Sequence, residues 1–241
     1  MSERHDGRSA DQLRPLEIDT SVRSWAEGAA LIQMGATTVL CSATVEERVP
    51  WHRKGTRAGW VTAEYAMLPR ATHERSPRER GGRVEGRSQE IQRLVARSLR
   101  AAVDLQRLGE RTVIVDCDVI HADGGTRTAA INGGWVALAL ACRRLEQAAM
   151  VKGQPLVRGL AAVSVGLVDG ELLLDVDYQE DSQAQADINL VISPGAGLVE
   201  IQGTAERQPF SPEELLSALA LAEVGVSRIA ECQQAALEQV G

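Results

Sequence analysis

Aromatic side chains are nearly missing from this 241-residue chain, which has one Phe, two Tyr and four Trp. Any core must therefore be aliphatic, built from Leu, Val, Ile and Ala within the 44% hydrophobic content. The four cysteines, Cys41, Cys117, Cys142 and Cys232, form no CxxC pair and no ligand spacing. A disulfide framework and a zinc site are thus not indicated, and reduced core thiols are expected. The longest uninterrupted apolar run, Trp135 to Cys142, is too short to span a bilayer, and MSERHDGRSA at the start contains no apolar h-region. A soluble, cytoplasmic protein with no membrane partner is expected. There is no solenoid-period repeat, no low-complexity tract and no linker rich in Pro, Gly or Ser. A single domain over residues 1–241, long enough to bury a sizeable core, is the expectation.

Excess positive charge is also absent, since the net charge is −7, but the average hides a segregation. Arg48 to Arg100 holds thirteen Lys+Arg against five Glu, which leaves thirteen cations against twenty-eight acids in the rest of the chain. From Leu167 onward there are fourteen acids and only Arg207 and Arg228. Such a chain can attract a polyanion to one face and stay soluble through the other. Charge runs are often only solvated surface. Here twelve of the thirteen cations are Arg, which favours bidentate phosphate contacts.

The chain is organised around Val115 to Thr128, VDCDVIHADGGTRT. Arg111 to Ile120 alternates as a strand, with Ile114, Asp116, Asp118 and Ile120 on one face and Val113, Val115, Cys117 and Val119 on the other. The alternation breaks at Gly124-Gly125, and Thr126-Arg127 opens a run of helix formers to about Met150. A strand, a Gly-Gly turn and a helix N-terminus present free amide N–H groups and the positive end of a helix dipole. Arg127 adds a cationic fork there, so the local expectation is a phosphate-sized cradle. The bland alternative is a plain turn.

Before this stretch come a polar tail and strand patterns at Leu16–Val22, Gly28–Met34 and Thr37–Val45, the last two joined by a tight Gly35-Ala36 hairpin. Trp51 to Trp60 reads as a mobile cationic loop, Val61–Met67 as a short extended piece, and Pro69–Arg87 as a long Arg-rich surface loop with no apolar period. Ser88–Leu108 reads as one amphipathic helix with the stripe Ile91, Leu94, Val95, Leu99, Ala102 and Val103, Ser88 as candidate N-cap and Gly109 at its C-terminal end. This places Arg87 at the helix N-terminus. After the second helix, Leu160–Val168 and Glu171–Asp177 form a hairpin through Asp169-Gly170. The polar connection YQEDSQAQA leads to strands at Asp187–Ile192 and Leu198–Gln202. A final helix starts with Ser211 as N-cap, Pro212 at N1 and Glu214 completing a capping box, its inward stripe being Leu215, Leu219, Ala222, Val226 and Ile229. Strand groups interrupted by two long helices indicate an α+β protein with a mixed β-sheet packed against them.

Several long motifs in order carry a family resemblance: RHDGRSADQLRPL, ATVEERVP, GWVTAEYAMLPRAT, GRSQEIQRLVARSLRAAVDL, GERTVIVDCDVIHADGGTRTAAI, EDSQAQADIN and VEIQGTAE. Nearly end to end, the chain resembles the bacterial ribonuclease PH family, phosphorolytic 3′ exoribonucleases that trim tRNA precursors. The resemblance implies a ribonuclease PH-like single-domain fold assembled as a homohexameric ring, a trimer of dimers. It implies a phosphate site at Arg87, Gly125, Thr126 and Arg127, the residues already selected locally, with inorganic phosphate as co-substrate. It also implies a catalytic and metal-holding acidic pair at Asp181 and Asp187, with Mg²⁺ as the cation, and tRNA-gripping arginines at Arg70, Arg75 and Arg78. The implied partners are tRNA precursors and other RNA 3′ ends. Two positions depart from the family pattern, Gln179 where relatives commonly have Glu and His121 where they have Gln. His121 is read as a surface or hydrogen-bonded structural residue.

Phosphorolysis brings two anions within bonding distance, and two unit charges at about 4 Å repel by roughly 4 kcal/mol at an effective dielectric near 20. Cations and backbone amides offset that repulsion and orient the nucleophile, while a carboxylate stabilises the departing 3′ oxygen by donating a proton or holding Mg²⁺. An ordinary turn would also explain Asp181, whereas Asp187 opens an apolar strand where an unpaired carboxylate is costly. Two other classes compete. A non-catalytic RNA-binding subunit of an exosome-like ring would be expected to lose the arginine of the GTR motif or the acidic pair, and a phosphorylase of small nucleosides leaves the Arg48–Arg100 segment without a purpose.

Overall fold

The strand patterns settle into two sheets. The computed structural model describes residues 4–78, 85–207 and 209–240. The first sheet contains β1 (Leu16–Asp19), β2 (Gly28–Met34), β3 (Thr37–Glu46), β4 (Trp60–Met67) and β5 (Thr112–His121) in the order β1-β2-β3-β5-β4. It is mixed, because β4 runs parallel to β5 while the other neighbours are antiparallel. The second sheet is wholly antiparallel, with β6 (Ala161–Val168), β7 (Glu171–Leu174), β8 (Ala186–Ser193) and β9 (Gly197–Ala205) in the order β7-β6-β8-β9. The Asp169-Gly170 turn between β6 and β7 has both residues at positive φ, +49° and +79°, as a two-residue hairpin requires.

Among the described residues, five α-helices accompany the sheets: α1 (Gly86–Ala101), α2 (Leu105–Leu108), α3 (Thr126–Gln147), α4 (Tyr178–Asp181) and α5 (Pro212–Glu238). Helix α3 packs on β2, β3 and β5 of one sheet and on β6 of the other, so it is buried nearly all round from Thr128 to Cys142. Its Gly133 makes this approach possible, since a Cβ there would lie 2.7 Å from Ile32 and 2.9 Å from the Cys41 sulfur. One polar group crosses this contact. The amide of fully buried Asn132 donates to the Ala162 carbonyl at 2.8 Å and accepts from the Ala162 N–H at 2.7 Å, pairing an edge of β6 that would otherwise be unsatisfied. The core is one continuous aliphatic cluster across both sheets, and it includes the buried thiols Cys41, Cys117 and Cys142.

Several sequence expectations need correction. The expected helix 88–108 is broken, because the Asp104 side chain accepts from the Gln106 and Arg107 amides and starts α2 afresh. Ser88 lies inside α1 and is buried; the N-cap position is Glu85, with no side-chain cap. The first strand ends at Asp19, β7 at Leu174 and α3 at Gln147. The connection after β7 contains α4, closed by an Asp177/Glu180 capping box. The polar tail is anchored, since Arg4, Arg8 and Arg14 are all buried. Part of the Arg-rich loop, 79–84, lies outside the described residues.

Removing the Asn132 amide strands two backbone groups in the core. Asn132→Ala is expected to lower the unfolding free energy by about 2–4 kcal/mol, read as a lower urea midpoint. An unchanged midpoint would show that the amide does not join α3 to β6.

Candidate active site

The site begins at the glycine turn between β5 and α3. Gly124 and Gly125 have φ of +74° and +61°. A Cβ on Gly124 would sit 2.6 Å from the Asp177 backbone, so only glycine lets the turn lie against the segment leading into α4. Arg14 locks the turn from below. Its guanidinium donates to the Asp123 carbonyl at 2.6 Å and, through Nε and Nη2, to the Asp175 carboxylate at 3.1 and 2.7 Å. The Arg14 backbone N–H also donates to Asp175, at 2.9 Å. Burial opposes the Arg14 charge, but the carboxylates of Asp175, Asp123 and Asp177 outweigh it and hold the guanidinium above its ordinary value. From above, Tyr65 of β4 donates to the Thr126 hydroxyl at 2.8 Å, and Thr37 donates to the Gly124 carbonyl at 2.6 Å.

A second ionic knot fixes α4. Arg4 donates to both oxygens of Glu180, at 2.7 and 2.5 Å, and Arg8 lies 3.4 Å from the same carboxylate. His5 is 2.6 Å from Asp177, whose carboxylate caps the helix. These contacts set the register of α4, so that Asp181, its last residue, lines the cleft.

The floor of the cleft follows from strand register. Ser164 of β6 lies opposite Asn189 of β8, which lies opposite Gln202 of β9; in the next row Gly166 faces Asp187 and Asp187 faces Thr204. Side chains in such rows share one face. Asn189 donates to Asp187 at 2.7 Å. The Ser164 hydroxyl is buried at the cleft with no hydrogen-bond partner among the described residues.

All six cleft residues expected from the sequence, Arg87, Gly125, Thr126, Arg127, Asp181 and Asp187, line this one cavity of about 580 Å³. Arg87 comes from the first turn of α1 and Arg127 from the first turn of α3, so two helix N-termini face it. Arg127 donates to Gln202 at 2.6 Å and lies 3.2 Å from Glu90, and Gln202 also donates to Glu90 at 2.5 Å. Across from these cations, burial pushes the Asp187 carboxyl up to about 6, helped by repulsion from Asp181 and opposed by Asn189, Arg127 and Arg87. Burial also raises Asp181, against the pull of Arg87 and Arg127. Arg70, Arg75 and Arg78 are exposed and do not line this cavity. His121 is exposed and its ring nitrogen lies 2.9 Å from the Ala36 carbonyl, in keeping with a structural role.

Glu90, Ser164, Asn189 and Gln202 also line the cleft, and neither they nor the buried arginines beneath were expected from the sequence. A signal existed in β8 and β9, where Asp187 and Asn189, then Glu200, Gln202 and Thr204, repeat at the two-residue period.

The chain belongs to the 3′ exoribonuclease family. Residues 12–143 match that family's domain 1 and residues 160–225 its domain 2. These spans correspond to the first sheet with α1–α3 and to the second sheet with the start of α5. The fold is similar to that of rice (Oryza sativa) Rrp46, with a TM-score of 0.79 and 22% identity over 97% of this chain and 100% of that one. It is also similar to a chain of the Archaeoglobus fulgidus exosome with RNA bound to the active site, with a TM-score of 0.82 and 23% identity over 95% and 92%. A chain of an archaeal exosome core gives 0.79 and 21% over 96% and 91%.

The raised Asp187 pKa has a definite consequence for stability. The folded state holds this proton up to about pH 6, whereas an unperturbed Asp releases it near 3.8. Stability therefore falls as pH rises through that window and levels off above it, by an amount on the order of 3 kcal/mol. Asp187→Asn should match the parent near pH 3.5 and be the more stable of the two at pH 7, as measured by urea unfolding. Parallel pH profiles would contradict the burial of this carboxylate.

Proposed function

We propose that the protein is a phosphate-dependent 3′-to-5′ exoribonuclease of the bacterial ribonuclease PH type, a tRNA nucleotidyltransferase acting in the cytoplasm. It would remove 3′-terminal nucleotides of tRNA precursors as nucleoside diphosphates, reversibly. The observation that carries this reading is the pairing of Arg87 and Arg127, at two helix N-termini, with Asp181 and Asp187 across one cleft. The cationic side suits a free phosphate, which the Gly125 and Thr126 amides and the two guanidiniums would hold and orient. These groups also offset the repulsion between that phosphate and the scissile phosphodiester.

The acidic side suits stabilisation of the departing 3′ oxygen. Asp181 and Asp187 repel each other in a partly desolvated place, a donor set that fits Mg²⁺, held by one or two carboxylates together with substrate phosphate. Bound there, the ion would supply Lewis-acid stabilisation of that oxygen. Asp187 itself, its carboxyl pushed up to about 6 by burial, is suited to hold and give up a proton at its carboxylate oxygen. Asn189 orients this carboxylate and Glu90 with Gln202 orients Arg127. Arg70, Arg75 and Arg78 would grip the tRNA body outside the cleft, and a homohexamer built as a trimer of dimers would be the working form.

A second reading is favoured by the structural neighbours, which are exosome proteins. It makes the chain an RNA-binding ring subunit without activity. Retention of Arg127 and of both acids supports the catalytic reading over it.

The deciding experiment is incubation with a 3′-extended tRNA, with and without phosphate. Nucleoside diphosphates that appear only with phosphate are expected, and excess diphosphate should lengthen the RNA. Release of nucleoside monophosphates without phosphate would mark a hydrolase, and no release at all a ring subunit. Arg127→Ala should raise the phosphate concentration for half-maximal rate and also slow the reaction, because one guanidinium serves both binding and charge shielding. Separately, Arg70, Arg75 and Arg78 replaced together by Ala should weaken tRNA binding and flatten its salt dependence. An unchanged salt slope would remove these arginines from the RNA interface.

A further inference from the structure

Trp51 stands on a single 3-10 turn, Trp51–Arg53, and is 83% exposed. It is the outer member of a ring cluster. The His52 ring lies edge-on to Trp51, with centroids 5.8 Å apart, and edge-on to Trp60, with centroids 5.1 Å apart. Trp60 carries two guanidiniums, those of Arg53 at 4.7 Å and Arg100 at 3.7 Å from its centroid. Arg100 is held in place by donating through Nε and Nη2 to the Val61 carbonyl, at 3.0 and 2.8 Å. The turn expected to be a mobile loop is thus backed by packed rings.

The surrounding charge is one-sided. Arg48 to Trp60 contains Arg48, Arg53, Lys54 and Arg57 and no acid. Arg48 pairs with Glu46, and Glu110 accepts from the Gly55 N–H. Among the described residues Arg53, Lys54 and Arg57 take part in no ion pair. Burial, then repulsion from Arg53 and Arg97, pushes the Arg100 guanidinium below its ordinary value, so cations are crowded here. Protein–protein interface cores are enriched in Trp and Arg but depleted in Lys, so the discriminating feature here is Lys54 among cations with no acid in their own segment. A nucleobase, by contrast, offers a π-face to an exposed indole, and its phosphates neutralise the cations alongside.

We propose that Trp51, with His52, Arg53, Lys54 and Arg57, is a stacking platform for single-stranded RNA, separate from the cleft and from the Arg70–Arg78 loop. The source of that RNA rests on the proposed function. Arg87 and Arg100 lie at opposite ends of α1, about 20 Å apart at 1.5 Å per residue. With an RNA 3′ end in the cleft, the platform therefore meets nucleotides upstream of it. Its contribution depends on RNA length, being absent for an oligonucleotide too short to cover that distance.

The test is equilibrium binding of oligouridylates of 4 and 20 nucleotides to the intact protein in phosphate-free buffer, with sedimentation of each variant alongside. Trp51→Ala should raise the Kd for the 20-mer about tenfold and leave the 4-mer unchanged, and Trp51→Phe should restore binding to within about twofold of the parent. Lys54→Ala with Arg57→Ala should lower the salt slope by about 1.4. Unchanged 20-mer affinity in Trp51→Ala overturns the proposal. So does weakened binding accompanied by a changed oligomeric state, which would assign Trp51 to a protein contact. Because no turnover is involved, Trp51-dependent binding by a protein that fails to phosphorolyse leaves the platform standing and removes the enzymatic reading. Phosphorolysis with Trp51-independent binding does the reverse.

Discussion

The buried pair Arg14–Asp175 is the constraint on which the cleft depends. Asp175 is fully buried and accepts from the backbone N–H, Nε and Nη2 of Arg14, while the third guanidinium nitrogen of Arg14 holds the Asp123 carbonyl. Three distant stretches thereby meet: the N-terminal segment, the end of β5 with its glycine turn, and the residue following β7. Taking two charges out of water is costly, and such a pair is tolerable only when its remaining hydrogen bonds are satisfied, as they are here. Losing one partner would cost about 3–5 kcal/mol and would free the turn that opens α3.

The same logic extends to Arg4 and Arg8 with Glu180, which hold α4, and to the Asp177 cap. Two elements that carry opposite chemistry, the cationic start of α3 and the acidic end of α4, are thus fixed by ionic contacts beneath them. Within the cleft Arg127 pairs with Glu90, while Asp181 and Asp187 take part in no ion pair among the described residues. Among the described residues only Asn189 donates to Asp187, and burial disfavours its charged form. A buried carboxylate perturbed in this way and set in a cleft is a candidate functional group.

Local signals in the sequence were sufficient for most elements and for Arg87, Gly125, Thr126 and Arg127, whereas Asp181 and Asp187 were implied only by the family resemblance. The Gly-Gly break after an alternating strand, the Asp-Gly hairpin and the Ser211/Glu214 capping box each act within a few residues, and each stands where the pattern places it. What escaped reading acts across the chain. Arg4, Arg8 and Arg14 look like a solvated tail because, apart from the local Arg8–Asp6 pair, their acids lie 161 to 176 positions away. The division into two sheets, and the row Ser164–Asn189–Gln202, depend on register between strands, which a single sequence does not display. The break at Asp104 was local but hidden, since the apolar stripe continues through Val103 and only the side-chain capping of the next amides ends the helix.

The central claim is that two helix N-termini and two arginines form an anion site facing a protonatable acid pair. Calorimetric titration of inorganic phosphate into RNA-free protein tests it most directly. One phosphate per chain is expected for the parent, with binding lost in Arg87→Ala combined with Arg127→Ala and kept in Asp187→Asn. Phosphate binding that survives loss of both arginines would contradict the account.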